Sequence, residues 1–173
     1  NIMITNGAKQ AIYNLFQVLL EDGDEVIIPS PYWLSYPEIV KLAGGKPVIL
    51  KTSAESGFQI EQNSLKSKIT NKTKFIIINS PNNPTGKVIR EEELKGIFNI
   101  LRDNKKISII SDEIYELILK KGNTHISLAA FANDLKDRIY TVNGFADRLD
   151  EPGIQTSAHS TKYLKDYLKY VIP

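Results

Sequence analysis

The sequence predicts an α/β fold, a mainly parallel sheet covered by helices on both faces, in three layers. Segments with helical spacing alternate along the chain with short apolar runs, which is the order of repeated strand–helix–strand units. The apolar runs are continuous, as in PheIleIleIle at 75–78, and this is typical of strands that are buried on both faces. With 173 residues, of which 42% are hydrophobic, the chain can bury one sizeable core.

Four segments are predicted as helices, at 8–21, 35–42, 64–69 and 91–103. In the first, apolar residues recur at helical spacing along one face, namely Ile12, Leu15, Phe16, Leu19 and Leu20. The GluAspGlyAsp stretch at 21–24 ends this helix. The last helix begins with three glutamates at 91–93, and acidic residues are favoured at the electropositive start of a helix.

Five apolar runs are predicted as strands, at 26–28, 47–50, 75–78, 107–110 and 138–142. The chain also opens on IleMetIleThr at 2–5, which has the composition of a further strand. No internal repeat, low-complexity tract or linker interrupts the sequence. The pattern therefore predicts one layered core.

Composition excludes several classes of function. The 22 basic and 20 acidic residues are mixed along the chain, so we predict no nucleic-acid partner and no membrane-surface helix. There is no cysteine, and His125 and His159 are far apart in the sequence, so we predict no metal site. Because the sequence shows no leader-like segment and no apolar run of membrane length, we expect a cytoplasmic protein, and small-molecule chemistry stays open.

Polar loops follow the predicted strands, and in a parallel sheet the ligand lies at this carboxyl edge. ThrAsnGlyAlaLys at 5–9 runs into the first helix, where backbone N–H groups and Lys9 could bind an anion such as phosphate. Thr5 or Asn6 could instead simply cap the helix. ProSerProTyrTrp at 29–33 holds the only tryptophan, and Trp33 could stack on a planar ligand ring or fill the core.

Two later loops carry amide and carboxylate side chains. AsnSerProAsnAsnProThrGly at 79–86 predicts a rigid loop that holds amides at the sheet edge, or a turn that merely requires Pro and Gly. SerAspGluIleTyr at 111–115 follows a buried strand. A carboxylate at the inner end of a parallel strand is costly unless it meets a cation or hydrogen-bond donors, so Asp112 indicates a charged partner. Glu113 could take this role instead, or both could be solvated loop charges.

The segments at 30–33, 82–86 and 111–115 resemble, in this order and spacing, the class I, aspartate-type aminotransferases of the fold-type I pyridoxal-phosphate enzymes. The resemblance runs from about Ile4 to Gly144. It implies pyridoxal 5′-phosphate as cofactor, an amino acid such as aspartate and a 2-oxo acid as substrates, and a homodimer with active sites at its interface. We therefore expect residues 1–144 to form part of the cofactor-binding large domain of a truncated chain.

The resemblance implies cofactor contacts for seven residues, Gly7, Ala8, Lys9, Trp33, Asn83, Asp112 and Tyr115. Backbone N–H groups at 7–9 would bind the phosphate, and Trp33 would stack on the pyridine ring. Asn83 and Tyr115 would hydrogen-bond the phenolic oxygen of the ring. Asp112 would pair with the protonated ring nitrogen, which keeps the ring an electron sink.

The family pattern changes where its catalytic lysine is expected. That lysine follows a strand ending in ThrValAsnGly, which matches 141–144. Laid on this chain, the lysine position is Asp147, and a later arginine position is Gln155. An aspartate can neither form the covalent bond of a lysine amine nor replace it as the proton-transferring base, and loss of the arginine weakens phosphate binding. We therefore predict that the chain has no catalytic lysine at this position.

Residues 145–173 are predicted to be a divergent C-terminal tail. From 157 onward the tail is expected to form a basic, partly amphipathic helix that covers core. SerThrLysTyrLeu at 160–164 loosely resembles the lysine segment of the cystathionine lyase and synthase branch, which makes Lys162 an alternative candidate. However, Lys162 lies too far beyond Asp112 for that branch, and the Gly-His that should follow is absent.

Three functional hypotheses result. In the first, which we expect, the chain is a truncated and inactive relative of the aminotransferases. In the second, it is a non-catalytic binding or interaction protein that keeps a pocket for pyridoxal phosphate or another phosphorylated ring. In the third, it is an active transaminase that uses a lysine from elsewhere, such as Lys9 or Lys162, or is completed by a partner chain. Asp147 and Gln155 argue against the third.

Overall fold

A computed structural model describes residues 2–144 of the chain. The predicted lysine position Asp147, the arginine position Gln155, the alternative Lys162 and the helix predicted within 145–173 lie outside the described residues. The structure therefore bears on the cofactor contacts predicted before Gly144.

Helices and strands alternate along residues 2–144, in the order α1 (Ala8–Leu19), β1 (Glu25–Pro29), α2 (Ser35–Leu42), β2 (Lys46–Leu50), α3 (Gln62–Lys68), β3 (Thr73–Asn79), α4 (Glu91–Asp103), β4 (Ser108–Asp112), α5 (Leu128–Phe131) and β5 (Ile139–Val142). A 3-10 helix at Asn133–Arg138 lies between α5 and β5. The longest of these helices, α4, has 13 residues. In this part of the chain no helix is long and apolar enough to cross a membrane.

The five strands form one parallel sheet in the order β2-β1-β3-β4-β5. The chain runs outward from β1 to β2 and then returns past β1 to β3, so the connections after β1 and β3 lead in opposite directions. In open α/β sheets this reversal of strand order opens a crevice at the carboxyl ends, where ligands bind. The loops that follow β1 and β3 are two of the loops that carry the predicted site.

The two faces of the sheet have separate cores, because successive side chains of a strand point to opposite faces. On one face, fully buried Ile12 and Phe16 of α1 pack with α2 and with Ile110 of β4. On the other face, α3, α4 and α5 pack against Ile109 and its neighbours. The predicted three-layer α/β fold is confirmed.

Apart from shifts of one or two residues at the ends of elements, the structure differs from the sequence prediction at two places. Residues 2–5 are not a strand, and Ile2, Met3 and Ile4 are all more than half exposed. Their composition suits a strand, but a strand requires a hydrogen-bonded neighbour, and within residues 2–144 none lies beside them. In addition, α5 and the 3-10 helix at Asn133–Arg138 were not predicted, because each is too short to show helical periodicity.

Glu25, the first residue of β1, is 7% exposed. It joins the start of β1 to the start of β2 and to the segment before β3. Its carboxylate accepts hydrogen bonds from the Thr70 hydroxyl at 2.6 Å and from Lys46 Nζ at 3.1 Å. The Thr70 hydrogen bond, assisted by the charge of Lys46, outweighs burial and lowers the pKa of Glu25 below its usual 4.5. A depressed pKa contributes stability above the unfolded-state value, and this is lost as pH falls through the folded value.

We therefore predict a pH-dependent cost for Glu25→Gln. The free energy of unfolding of this variant should fall furthest below wild type at neutral pH, and the difference should shrink as pH drops below about 4.5. Urea unfolding at a series of pH values measures this difference. A constant difference between pH 7 and pH 3 would contradict the argument.

Candidate functional site

The predicted site residues converge on the carboxyl edge of the sheet. Trp33 follows β1, Asn83 follows β3, and Asp112 is the last residue of β4. Tyr115 comes three residues after Asp112, and Gly7 precedes α1. The parallel arrangement of β1, β3 and β4 is what places their following loops side by side.

Asp112 is 4% exposed and lies on the same face of the sheet as α1 and α2. Its Oδ2 accepts a hydrogen bond from the hydroxyl of Tyr36, in the first turn of α2. The Tyr36 ring in turn meets the Trp33 ring edge-on, with centroids 5.3 Å apart and planes at 87°. Asp112 and Trp33 are therefore joined through one side chain on one face. If Asp112 and Trp33 lay on opposite faces of the sheet, they could not both contact one ligand ring.

Glu113 points to the other face of the sheet. Of the two adjacent carboxylates, only Asp112 therefore faces the same side as Trp33. Its Oε1 accepts hydrogen bonds from the Ser111 hydroxyl at 2.7 Å, the Ser127 hydroxyl at 3.2 Å and the Leu128 N–H at 3.1 Å. Its Oε2 lies 3.0 Å from His125 Nε2. Glu113 thus anchors the start of α5, and neither Asp112 nor Glu113 is a solvated loop charge.

Glu113, Glu116 and His125 place one potential ligand atom each within 4.8 Å of one another. The oxygens of Glu113 already accept hydrogen bonds from Ser127 and its neighbours, so we interpret this group as a structural network. The absence of a metal site remains a prediction.

The loop at 79–86 is tied together by its own amides. Asn79 Oδ1 accepts the Asn83 N–H at 2.7 Å, and Asn79 Nδ2 donates to the Asp112 carbonyl at 3.0 Å. Asn82 Oδ1 accepts both the Thr85 N–H at 3.2 Å and the Thr85 hydroxyl at 2.8 Å. These contacts hold the Asn83 side chain where its Nδ2 donates to the Tyr115 hydroxyl at 3.3 Å. Asn83 and Tyr115, which were assigned to the same ligand atom, thus lie together.

The start of α1 has no side-chain cap. Its N-cap is Gly7, with a φ of +85° that favours glycine, and no side chain caps it. The Thr5 hydroxyl donates to the Gly7 carbonyl, and the Asn6 N–H donates to Gln10. A simple cap by Thr5 or Asn6 is therefore wrong. Uncapped N–H groups at the start of a 12-residue helix are suited to bind an anion.

Trp33 is half-buried and is packed in two ways. It contacts the apolar cluster of α1 and α2, so it partly fills the core. The exposed Lys9 places its Nζ 5.1 Å from the centroid of the Trp33 ring, a cation–π distance. Lys9 therefore lies next to the aromatic ring proposed for stacking.

Most of the chain matches a known protein family. Residues 1–155 match the model of the family described as aminotransferase class I and II. The chain belongs to this family. It is 51% identical over 143 residues to the aspartate aminotransferase of Bacillus sp. (strain YM-2), and equally to the probable aspartate/prephenate aminotransferase of Rickettsia bellii. These matches cover 83% of this chain but only 36% of each relative.

Solved aminotransferase structures share the fold. The aspartate aminotransferase of Rhizobium meliloti superposes with a TM-score of 0.79 at 37% identity, over 81% of this chain and 35% of that one. The aromatic aminotransferase of Pyrococcus horikoshii OT3 gives a TM-score of 0.81 at 39% identity, over 87% and 40%. The chain thus spans a little over a third of the length of these aminotransferases.

Members of the class I and II aminotransferase family in general depend on pyridoxal phosphate. The donor set found here suits that group: a buried carboxylate for a ring nitrogen, an amide and a phenol for an oxygen, an aromatic ring, and an uncapped helix start for a phosphate. Sequence reasoning missed Tyr36, the residue that links the carboxylate of this set to its aromatic ring. A tyrosine on the buried face of a helix needs a partner for its hydroxyl, and this signal was available in the sequence.

Proposed function

We propose that residues 2–144 form the ring- and phosphate-binding part of a pyridoxal-phosphate site of the aspartate aminotransferase type. The observation that carries the proposal is the convergence of Asp112 and Trp33, joined through Tyr36, beside the Asn83–Tyr115 pair. We further propose that this chain alone does not transfer amino groups, because Asp147 stands at the lysine position.

Each side chain would make a separate contribution. Trp33 would orient the ring by stacking, and the N–H groups at the start of α1 would bind the phosphate. Asn83 and Tyr115 would hydrogen-bond the phenolic oxygen. Asp112 would hold a proton on the ring nitrogen. When bound, pyridoxal phosphate supplies an electron sink for bonds broken at an amino acid.

With Asp147 at the lysine position, the chain lacks the amine that would bond to the cofactor and transfer a proton. A lysine amine bonds covalently to the aldehyde and then moves a proton as a base. A carboxylate cannot bond in this way, and its charge would repel the phosphate. We propose that binding is noncovalent and that an amino acid such as aspartate and a 2-oxo acid would be substrates only of a complete enzyme. We also propose that the chain pairs with a second copy of itself as a homodimer.

The test is to add pyridoxal phosphate to the chain, record the visible spectrum, reduce with borohydride and map modified lysines by mass spectrometry. We expect ligand binding without a specific label, because the chain lacks lysine at 147. The matched control is Asp147→Lys, which should take the label at that position. Failure of both proteins to bind, measured by equilibrium dialysis, would overturn the proposal.

One observation favours a second candidate, an active transaminase with a relocated lysine. The Lys9 ammonium lies 5.1 Å from the Trp33 ring, within the region where a ring would stack. A stoichiometric label on Lys9 alone, abolished in Lys9→Arg, would support this candidate against the noncovalent proposal. A specific label on Lys162 would point to that residue instead.

A further inference from the structure

Tyr36 is a buried tyrosine whose hydroxyl is committed to a carboxylate. It is 2% exposed, and it donates a hydrogen bond to Asp112 Oδ2 across 76 residues of sequence. Burial, followed by the charge and hydrogen bond of Asp112, raises the pKa of Tyr36 far above its usual value of 10. Tyr36 therefore keeps its proton and acts as a hydrogen-bond donor.

Asp112 is also held from the other sides. Its Oδ1 accepts the Ile114 N–H at 3.3 Å. Its backbone carbonyl accepts Asn79 Nδ2 at 3.0 Å and the Ser80 N–H at 3.2 Å. Both the backbone position and the rotation of the carboxylate are therefore fixed. The carboxylate itself is thus held by the Tyr36 hydroxyl and the Ile114 N–H, one on each oxygen.

We propose that Tyr36 is a positioning residue for Asp112, keeping its carboxylate charged and aimed at the ring nitrogen of the cofactor. The identity of the ligand rests on the proposed function. The hydrogen bond between Tyr36 and Asp112 does not depend on it. Hydrogen bonds donated to a carboxylate favour its charged form, which burial alone would disfavour. A group fixed in advance by its neighbours also binds without losing rotational freedom.

The first turn of α2 contacts both Trp33 and Asp112 through Tyr36. The Tyr36 N–H donates to the Trp33 carbonyl at 3.1 Å, and the two rings meet edge-on. The same turn therefore sets the position of the stacking ring and of the carboxylate. The other titratable groups near this turn are Tyr115 and Lys9, and Lys9 lies beside Trp33.

The first measurement needs no ligand. In Tyr36→Phe the ring and its packing remain, and only the hydroxyl is lost. The Asp112 carboxyl, observed by carbon-13 NMR and assigned with Asp112→Asn, should take up its proton at higher pH than in wild type. Tyr32→Phe, which removes a hydroxyl from the same half-buried segment, should leave the titration unchanged. An unchanged titration in Tyr36→Phe would overturn the proposal.

The second measurement uses pyridoxine 5′-phosphate, which has no aldehyde and needs no lysine. Tyr36→Phe should bind it about tenfold more weakly, the scale of one hydrogen bond to a charged group. The nitrogen-15 shift of the bound ring should show less protonation than in wild type.

If the titration shifts but wild type binds no pyridoxine 5′-phosphate, Tyr36 still controls Asp112 and the proposed function fails. If wild type binds and Tyr36→Phe binds equally well with the same nitrogen-15 shift, the positioning role is wrong.

A double-mutant cycle keeps the proposal testable if Tyr36→Phe is too unstable for NMR. The free energies of unfolding of Tyr36→Phe, Asp112→Ala and the double variant are compared with that of wild type, because alanine, unlike asparagine, offers no side-chain acceptor for the Tyr36 hydroxyl. Contacting partners in one hydrogen bond give non-additive effects. Additive effects would overturn the link between the two side chains.

Discussion

Glu113→Ala is expected to lower the free energy of unfolding by about 3 kcal/mol or more. Glu113 is 2% exposed, and its oxygens accept hydrogen bonds from two serine hydroxyls and the Leu128 N–H and lie beside His125. Truncation would leave these buried donors without an acceptor and would open a cavity, and both effects are destabilising. Urea or thermal unfolding measures the loss.

Glu116→Ala is the matched control for this prediction. Glu116 is a half-buried carboxylate of the same cluster, and its Oε2 lies 4.0 Å from His125 Nε2. Its removal should cost less than about 1 kcal/mol. Glu113→Gln, which keeps the shape but loses the charge, should fall between the two and provides a folded protein if Glu113→Ala does not fold. Equal losses for the Glu113 and Glu116 variants would contradict the anchoring role of Glu113.

The long elements of the fold could be predicted because their signals are local. α4 matches its predicted bounds, since an amphipathic pattern and three first-turn glutamates define it within one stretch of sequence. The buried strands could be predicted for the same reason, from continuous apolar runs such as 75–78.

Elements that depend on distant contacts could not be predicted. α5 has four residues, LeuAlaAlaPhe, and its first N–H is held by Glu113, fifteen residues earlier. Residues 2–5 have the opposite problem, because a strand-like composition does not supply a neighbouring strand. Both cases are decided by tertiary context rather than by propensity.

The candidate site shows the same division. The loops at 79–86 and 111–115 are dense in unusual residues, so they could be singled out from the sequence. The sequence left open whether Asp112 or Glu113 faced the site, because a one-residue difference at a strand end reverses the face. The contacts with Tyr36 and with Ser127 decide it.

Asp112→Asn is expected to weaken binding of pyridoxine 5′-phosphate by about tenfold to a hundredfold, since it removes the charge that would hold a proton on the ring nitrogen. Its effect on stability should be small, within about 1 kcal/mol, because the asparagine amide oxygen can still accept the Tyr36 hydroxyl, whereas the carboxylate of Glu113 has more donors around it to satisfy. Calorimetric titration and urea unfolding measure the two effects separately.

Glu113→Gln should show the reverse pattern, with lower stability and ligand affinity within about twofold of wild type. The two carboxylates are adjacent in sequence, similarly buried and each hydrogen-bonded, so burial and chemistry alone do not separate them. What separates them is direction: Asp112 faces Tyr36 and Trp33, whereas Glu113 faces α5. If both variants lost affinity equally, or if Asp112→Asn cost as much stability as Glu113→Gln, the division between a ligand-binding and a structural carboxylate would be wrong.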